Sequence, residues 1–392
     1  MEGGNRGSAL WDWEAKKGWE RSGDACRSWD LFEEDLRCLK ALNLNAYRFS
    51  LEWSRVEPEP GRFDAEALAR YAGWARRLKQ EGIRPIVCFH HFSEPAWLLR
   101  LHPKGWLAPG PEARLASFVA AAAPALSDWV SDWLIFNEPT VFCSGAYGGG
   151  MFPPGRSLFL GRAGKLREAT ARMAEAHLRS AAVLKTVQPG ARVGVAHNVS
   201  DLLPARPGDE QAVARWDDFM HLQFLDAVKG SLDFLGVNYY TRAFVSRLAL
   251  GPFGALPGHA EIEKAMGPFL FKLLGGRRDP GPRTAMGWEV VPEGLERVLL
   301  RLWDRFRLPL MITENGVAPA DGIDRAAFIR SHLEAVHRAI AKGARVEGYL
   351  HWSLLDNFEW GSYAPKFGLF DRQRRPSQGG AFYAEAARDN GF

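Results

Sequence analysis

Short apolar runs of β type alternate with longer helical patterns along the whole chain, and this alternation most restricts the fold. The runs are 45–50, 84–90, 133–137, 192–197, 234–239, 310–313 and 348–352. Helical spacing occupies the stretches between them, as at 28–42, 65–81, 111–126, 166–187, 292–306 and 325–342. Strand–helix repetition argues for a parallel sheet with crossover helices. Seven strands, each near a helix, fit a (β/α)8 barrel better than an open doubly wound sheet. No Gly-x-Gly-x-x-Gly follows the first strand, so a dinucleotide fold lacks its best signature. No Pro-, Gly- or Ser-rich linker and no solenoid repeat interrupts the pattern, so 1–392 reads as one domain. The least regular stretch, 248–283, reads as a long loop at the mouth of a site.

Composition is that of a soluble globular protein, with 46% hydrophobic and 24% charged residues. The net charge of +4 comes from scattered basic residues, which argues against a nucleic-acid surface. No stretch approaches membrane-spanning length. The chain opens Met1-Glu2-Gly3-Gly4 without an apolar leader, so a cytoplasmic location is expected. Cys26, Cys38, Cys88 and Cys143 form no CxxC pair; free thiols are the default, and disulfides stay open. His90-His91 has no partner at zinc spacing, and Gly161 to Leu166 lacks the spacing of a phosphate loop. No metal site and no cofactor are therefore expected. Fifteen tryptophans are many; some belong to the core, and exposed flat aromatic faces suit sugar rings.

Two glutamates follow two apolar runs. Trp133-Leu134-Ile135-Phe136 leads into Asn137-Glu138-Pro139, and Leu310-Met311-Ile312-Thr313 leads into Glu314-Asn315-Gly316. Pro139 cannot donate to a ladder, so the strand ends there and Glu138 faces the opening. The carboxyl edge of a (β/α)8 barrel is where catalytic side chains gather. Carboxylates from two strands can flank one scissile bond, the minimal equipment for glycoside hydrolysis. The bland alternatives are a capping or surface role for Glu138 and an Asn-Gly hairpin after Glu314.

Taken in order, the motifs resemble the family 1 glycoside hydrolases, the β-glucosidase/β-galactosidase group with a (β/α)8 barrel. The segments are Ala46-Tyr47-Arg48-Phe49-Ser50, His90-His91-Phe92, Phe136-Asn137-Glu138-Pro139, Asn238-Tyr239-Tyr240, Ile312-Thr313-Glu314-Asn315-Gly316 and Trp352 to Trp360. The resemblance implies Glu138 as acid/base and Glu314 as nucleophile. It implies Arg48, Tyr240 and Asn238 as support for the nucleophile. It implies sugar contacts from His91, Asn137, Trp352, Glu359 and Trp360, with Glu359 disfavouring a 6-phosphate. The expected substrates are small-molecule β-glycosides or oligosaccharides ending in glucose, galactose or fucose. Retention of configuration sets an expected carboxyl separation of about 5–5.5 Å.

The pattern departs from the family at its start. The family opens with a strand carrying a sugar-binding Gln, and this sequence begins just after that point. The barrel is thus expected to be incomplete at its N-terminal strand. Strands near Asn45 and Gly348 would then expose backbone donors and acceptors. Either another segment fills the gap, the barrel stays open, or the sequence lacks its natural start, the reading favoured here. Restoring a Gln-bearing strand should raise stability and activity. The rival function is a catalytically silent sugar-binding protein of the same fold.

Overall fold

The computed structural model describes residues 3–156, 163–247, 256–258, 267, 269 and 281–391. Most of the irregular stretch 248–283 lies outside them. Among the described residues ten strands run β1 Ala46–Ser50, β2 Arg84–His90, β3 Asp132–Asn137, β4 Arg192–Asn198, β5 Asp201–Pro204, β6 Leu235–Asn238, β7 Arg242–Ser246, β8 Leu256–Gly258, β9 Leu310–Asn315 and β10 Val346–His351. Seven of them form one sheet in the order β1-β2-β3-β4-β6-β9-β10. Every ladder in it is parallel. These are the seven strands expected from the sequence. Asn315-Gly316 makes no hairpin, because β9 pairs with β6 and β10, both parallel.

A parallel sheet packed on both faces needs nearly continuous apolar strands. β3, β6 and β9 meet that demand, with every residue buried. Their side chains divide by the two-residue strand period. One set, Ile86, Cys88, Leu134, Ala196, Phe234 and Met311, meets inside the sheet, with Ala46 and Leu350 packed against it. Ala46 and Leu350 belong to the two end strands, so the sheet curls until its ends approach a common interior. The other set, including Val87, Phe89, Trp133 and Ile135, meets the helices.

The helices form where the sequence supplies both an apolar face and a start signal. Asp64 caps the Ala65–Gln80 helix by accepting the Ala67 amide at 2.9 Å. Asp324 caps the Arg325–Ala341 helix through Ala327 at 2.7 Å. Pro111 and Pro292 each open a helix, where their missing N–H costs nothing.

At the amino ends of the strands, Asp132 is buried between two guanidinium groups. Arg84 Nε donates to its Oδ2 at 2.6 Å and Arg192 Nη1 to its Oδ1 at 3.1 Å. Arg192 also reaches Glu347 of β10 at 2.5 Å, tying β4 to β10 across the barrel floor. The carboxyl ends carry a second, smaller sheet of β5, β7 and β8.

The seam between β1 and β10 is different. No ladder joins these strands among the described residues. All of β10 and four of five residues of β1 are partly exposed.

Candidate active site

The carboxyl ends of the sheet open into a cavity of about 730 Å³. Arg48, His91, Asn137, Glu138, Tyr240 and Glu314 line it, as do Trp352, Glu359 and Trp360. Asn238 is fully buried directly behind them. The structure thus brings together every residue singled out for the site.

Glu138 leaves β3 in the left-handed region, at φ +46° and ψ +57°. That conformation is strained for a residue with a Cβ, and such strain is retained where surrounding contacts over-determine it. Here those contacts are hydrogen bonds to the carboxylate. Asn238 Nδ2 donates to Oε1 at 2.9 Å and Asn198 Nδ2 donates to the same oxygen at 3.1 Å. Oε2 has no such donor among the described residues. Burial, and then the charge of Glu314, push the Glu138 carboxyl up to about 8; the two amides offset part of this rise. Glu138 is therefore an acid at neutral pH, and its proton belongs on Oε2.

Glu314 has opposite surroundings. Arg48 Nη2 donates to Oε1 as an ion pair, and Tyr240 Oη donates to Oε2 at 2.6 Å. Burial opposes the charge on Arg48, but Glu314 outweighs it and holds the guanidinium protonated. Burial and the Glu314 charge raise the Tyr240 hydroxyl well above its ordinary value, so it remains a donor.

One amide couples the two halves. Asn238 Oδ1 accepts from Thr313 Oγ1 at 2.6 Å, which fixes Nδ2 toward Glu138 and toward Asn137 Oδ1 at 3.1 Å. Asn137 Oδ1 also accepts from Arg48 Nη1 at 2.9 Å. With its oxygen occupied, Asn137 turns Nδ2 away, and that buried donor has no partner among the described residues. A hydroxyl in the cavity would satisfy it.

The sugar side is aromatic and acidic. Trp352 Nε1 donates to Glu359 Oε1 at 2.9 Å, and Asn357 Nδ2 does so at 2.8 Å. Glu359 Oε2 remains for a ligand. Burial lifts the Glu359 carboxyl to about 7 despite these donors. His91 stands 5.8 Å from the Trp352 ring and is kept neutral by burial, then by Arg48. Gly316 lets β9 approach β10: a Cβ there would lie 1.9 Å from the Trp352 carbonyl oxygen. Trp360 sits farther out, 38% exposed, with Phe92 and Phe152 beside it.

Sequence reasoning missed Asn198, Thr313 and Asn357. Asn198 could have been found, since it ends buried strand β4 as Asn238 ends β6. Thr313 and Asn357 carry no such signal. His90 is fully buried and lies 3.3 Å from Glu94. Among the described residues no group of three or more His, Cys, Asp or Glu could hold a metal ion.

The sequence model described as Glycosyl hydrolase family 1 matches residues 1–230 and 223–392. A β-galactosidase of Sulfolobus acidocaldarius is 30% identical over 418 residues, spanning 90% of this chain and 82% of its own. A bifunctional β-D-glucosidase/β-D-fucosidase of Bifidobacterium breve is 33% identical over 420 residues, spanning 93% and 88%. The solved β-glycosidase of Pyrococcus horikoshii superposes with a TM-score of 0.87 at 32% identity, over 99% of this chain and 91% of its own. Sequence, fold and site chemistry agree, and this chain belongs to glycosyl hydrolase family 1.

Proposed function

We propose that the chain is a retaining β-glycosidase releasing terminal non-reducing glucosyl, galactosyl or fucosyl residues by double displacement. The observation that carries this reading is the division of labour between two buried glutamates. One is paired with a guanidinium and accepts from a phenol; the other is kept protonated by burial and by its neighbour's charge. Two carboxyl groups whose surroundings drive their protonation apart define an acid and a nucleophile.

In the first step a Glu314 oxygen attacks the anomeric carbon, and Glu138 Oε2 gives its proton to the departing glycosidic oxygen. The product is a glycosyl ester of Glu314 and a free aglycone. Glu138 is now a carboxylate. It takes a proton from water as the water oxygen attacks the same carbon, and Glu314 leaves as carboxylate. Two inversions return the β configuration. Asn137 Nδ2 and Glu359 Oε2 supply a donor and an acceptor for sugar hydroxyls, and Trp352 supplies a flat face. No step as written calls for a cofactor.

Glucose and galactose differ at C4, and fucose lacks the C6 hydroxyl of galactose. Selection among them falls to the Glu359 side of the cavity. The names of the Sulfolobus and Bifidobacterium relatives, which include all three sugars, support keeping all three in view. A cytoplasmic location is proposed on the four buried, unpaired cysteines, and cell fractionation checks it.

The test is hydrolysis of aryl β-glucoside, β-galactoside and β-fucoside, with the first-formed anomer read by NMR. Turnover giving the β-anomer, lost in both Glu138→Gln and Glu314→Gln, is expected. An α-anomer as first product would refute retention. Sugar binding without turnover in the unaltered chain would make it a binding protein instead.

A further inference from the structure

The turn that presents Glu359 and Trp360 is built from a residue that does not favour it. Glu359 and Ser362 exchange both backbone bonds, Glu359 N to Ser362 O at 2.8 Å and Ser362 N to Glu359 O at 3.0 Å. Between them Trp360 and Gly361 both take positive φ, +52° and +92°, as a type I′ turn requires. Glycine adopts that conformation freely, but tryptophan, with a Cβ and a large ring, does not. Such strain persists where contacts from outside over-determine the turn.

Residues 19–22 supply those contacts. Glu20 Oε2 accepts from Ser362 Oγ at 2.6 Å and from the Tyr363 amide at 2.6 Å, although Ser362 lies 342 residues away in the chain. The Glu20 amide donates to the Gly361 carbonyl at 3.1 Å. The Trp19 ring covers Gly361 so closely that a Cβ there would lie 2.5 Å from it. Tyr363 Oη donates to the Ser22 carbonyl. The clamping segment is itself fixed. It leaves the Ala9–Lys17 helix through Gly18 at φ +66°, and the Ser22 amide donates to the buried Glu14 at 3.1 Å. Trp13 of that helix donates to the Met151 carbonyl at 2.6 Å. The Ser362 hydroxyl, and then the Tyr363 amide, hold the Glu20 carboxyl below its ordinary range, so it is a carboxylate at neutral pH.

We propose that Glu20 is a positioning residue for the sugar subsite: its carboxylate closes the 359–362 turn and so sets where Glu359 Oε2 and the Trp360 ring meet the substrate. The inference rests on the sugar-binding role given to Glu359 above. Glu20 is exposed and acts through the turn alone. Without its carboxylate, Ser362 Oγ and the Tyr363 amide turn to water, and Trp360 is free to leave the left-handed region. Glu359 follows, because its backbone is bonded to Ser362 in both directions. Its side chain keeps Trp352 and Asn357, so placement is lost rather than the acceptor itself.

Glu20→Ala should raise KM for an aryl β-glucoside about tenfold and change kcat less than twofold, since neither reacting carboxyl is touched. Glu20→Gln keeps an oxygen for both donors and should recover most of that loss. In Glu359→Gln, where the acceptor is already gone, Glu20→Ala should raise KM about threefold at most. Amide exchange at 360–363 should speed in Glu20→Ala and stay unchanged in β3. The proposal is overturned if KM holds while exchange at 360–363 speeds, if exchange there does not change, or if the tenfold cost persists in Glu359→Gln. A chain that binds glucose without turnover refutes the glycosidase reading alone; its Kd for glucose by calorimetry then replaces KM, with the same expectations. A chain that neither binds nor turns over these sugars overturns both.

Discussion

The protonated state of Glu138 has a thermodynamic consequence that can be measured without any substrate. Its carboxyl rises from an ordinary 4.5 to about 8 in the folded protein. Between those limits the folded state holds a proton that the unfolded state has released. Stability therefore falls as pH rises from 4.5 toward 8, and below 4.5 the group is neutral in both states. At ~1.4 kcal/mol per pH unit the full rise corresponds to roughly 5 kcal/mol, an upper bound. Structural relaxation and water entry reduce it, so about 2–4 kcal/mol is expected. Glu138→Gln removes the titration and keeps an oxygen for Asn198 and Asn238. The variant should be more stable than the unaltered protein at pH 8, by about 2–5 °C in Tm for a chain of this length. At pH 4.5 the two should melt together. Other titrating groups cancel in the difference between the proteins. Equal melting at pH 8, or a variant less stable there, would refute a buried, proton-bearing Glu138. The variant should also lose turnover, so stability and activity would move in opposite directions.

Asn198→Ala removes one donor to the Glu138 carboxylate; that donor lowers the carboxyl's pKa, so its loss should move the alkaline limb of kcat/KM up by about 0.5–1 pH unit. An unmoved or lowered limb contradicts the assignment of that limb to Glu138. Glu359 titrates at about 7, and its ionised form is the acceptor for sugar hydroxyls, so KM should climb as pH falls below that point. The rise is about tenfold one pH unit lower; Glu359→Gln should show a high, pH-independent KM, and a flat profile in the unaltered enzyme would remove Glu359 from sugar binding. Asp132→Asn breaks the buried cluster on the barrel floor and should cost about 2 kcal/mol in urea unfolding while leaving kcat/KM unchanged. A comparable loss of kcat/KM would show that the floor and the site are coupled.

Much of the fold was legible because buried parallel strands advertise themselves. The runs ending at His90, Asn137 and Thr313 are apolar on both faces, a pattern only doubly covered strands need. The small sheet was not legible. Asp201–Pro204 is short and ends in proline, and its stability comes from pairing with Arg242–Ser246, forty residues on. Glu138 and Glu314 stood out by position, each at the end of an apolar run. Their surroundings come from partners far along the chain: Arg48 precedes Glu314 by 266 residues, and Asn238 follows Glu138 by 100. Only the folded barrel brings those partners in. Asn357 escaped for the same reason, because a lone asparagine in a loop has no periodicity to reveal it, whereas Asn198 was marked by its place at the end of a buried strand.

The seam bears on catalysis because of what its two edges carry. Arg48 lies on β1 and pairs with Glu314; Trp352 immediately follows β10 and bonds Glu359. The nucleophile's counter-charge and the sugar's aromatic floor thus hang from two strands that share no ladder among the described residues. Arg48 also lies 5.6 Å from the Trp352 ring, a cation–π contact that bridges the gap where the backbone does not. Such a contact contributes on the order of 1 kcal/mol, less than a ladder of several backbone hydrogen bonds. Motion of either edge would therefore change the Arg48–Glu314 pair and the Trp352–Glu359 pair together. By contrast, Glu138 immediately follows β3, with its donors on β4 and β6, all strands in the laddered part of the sheet. The acid's donors thus lie on strands laddered on both sides, and the nucleophile's support on two strands with no ladder between them among the described residues. Loosening the seam should thus impair the glycosylation step, which needs an ionised, positioned Glu314, before it disturbs the proton on Glu138.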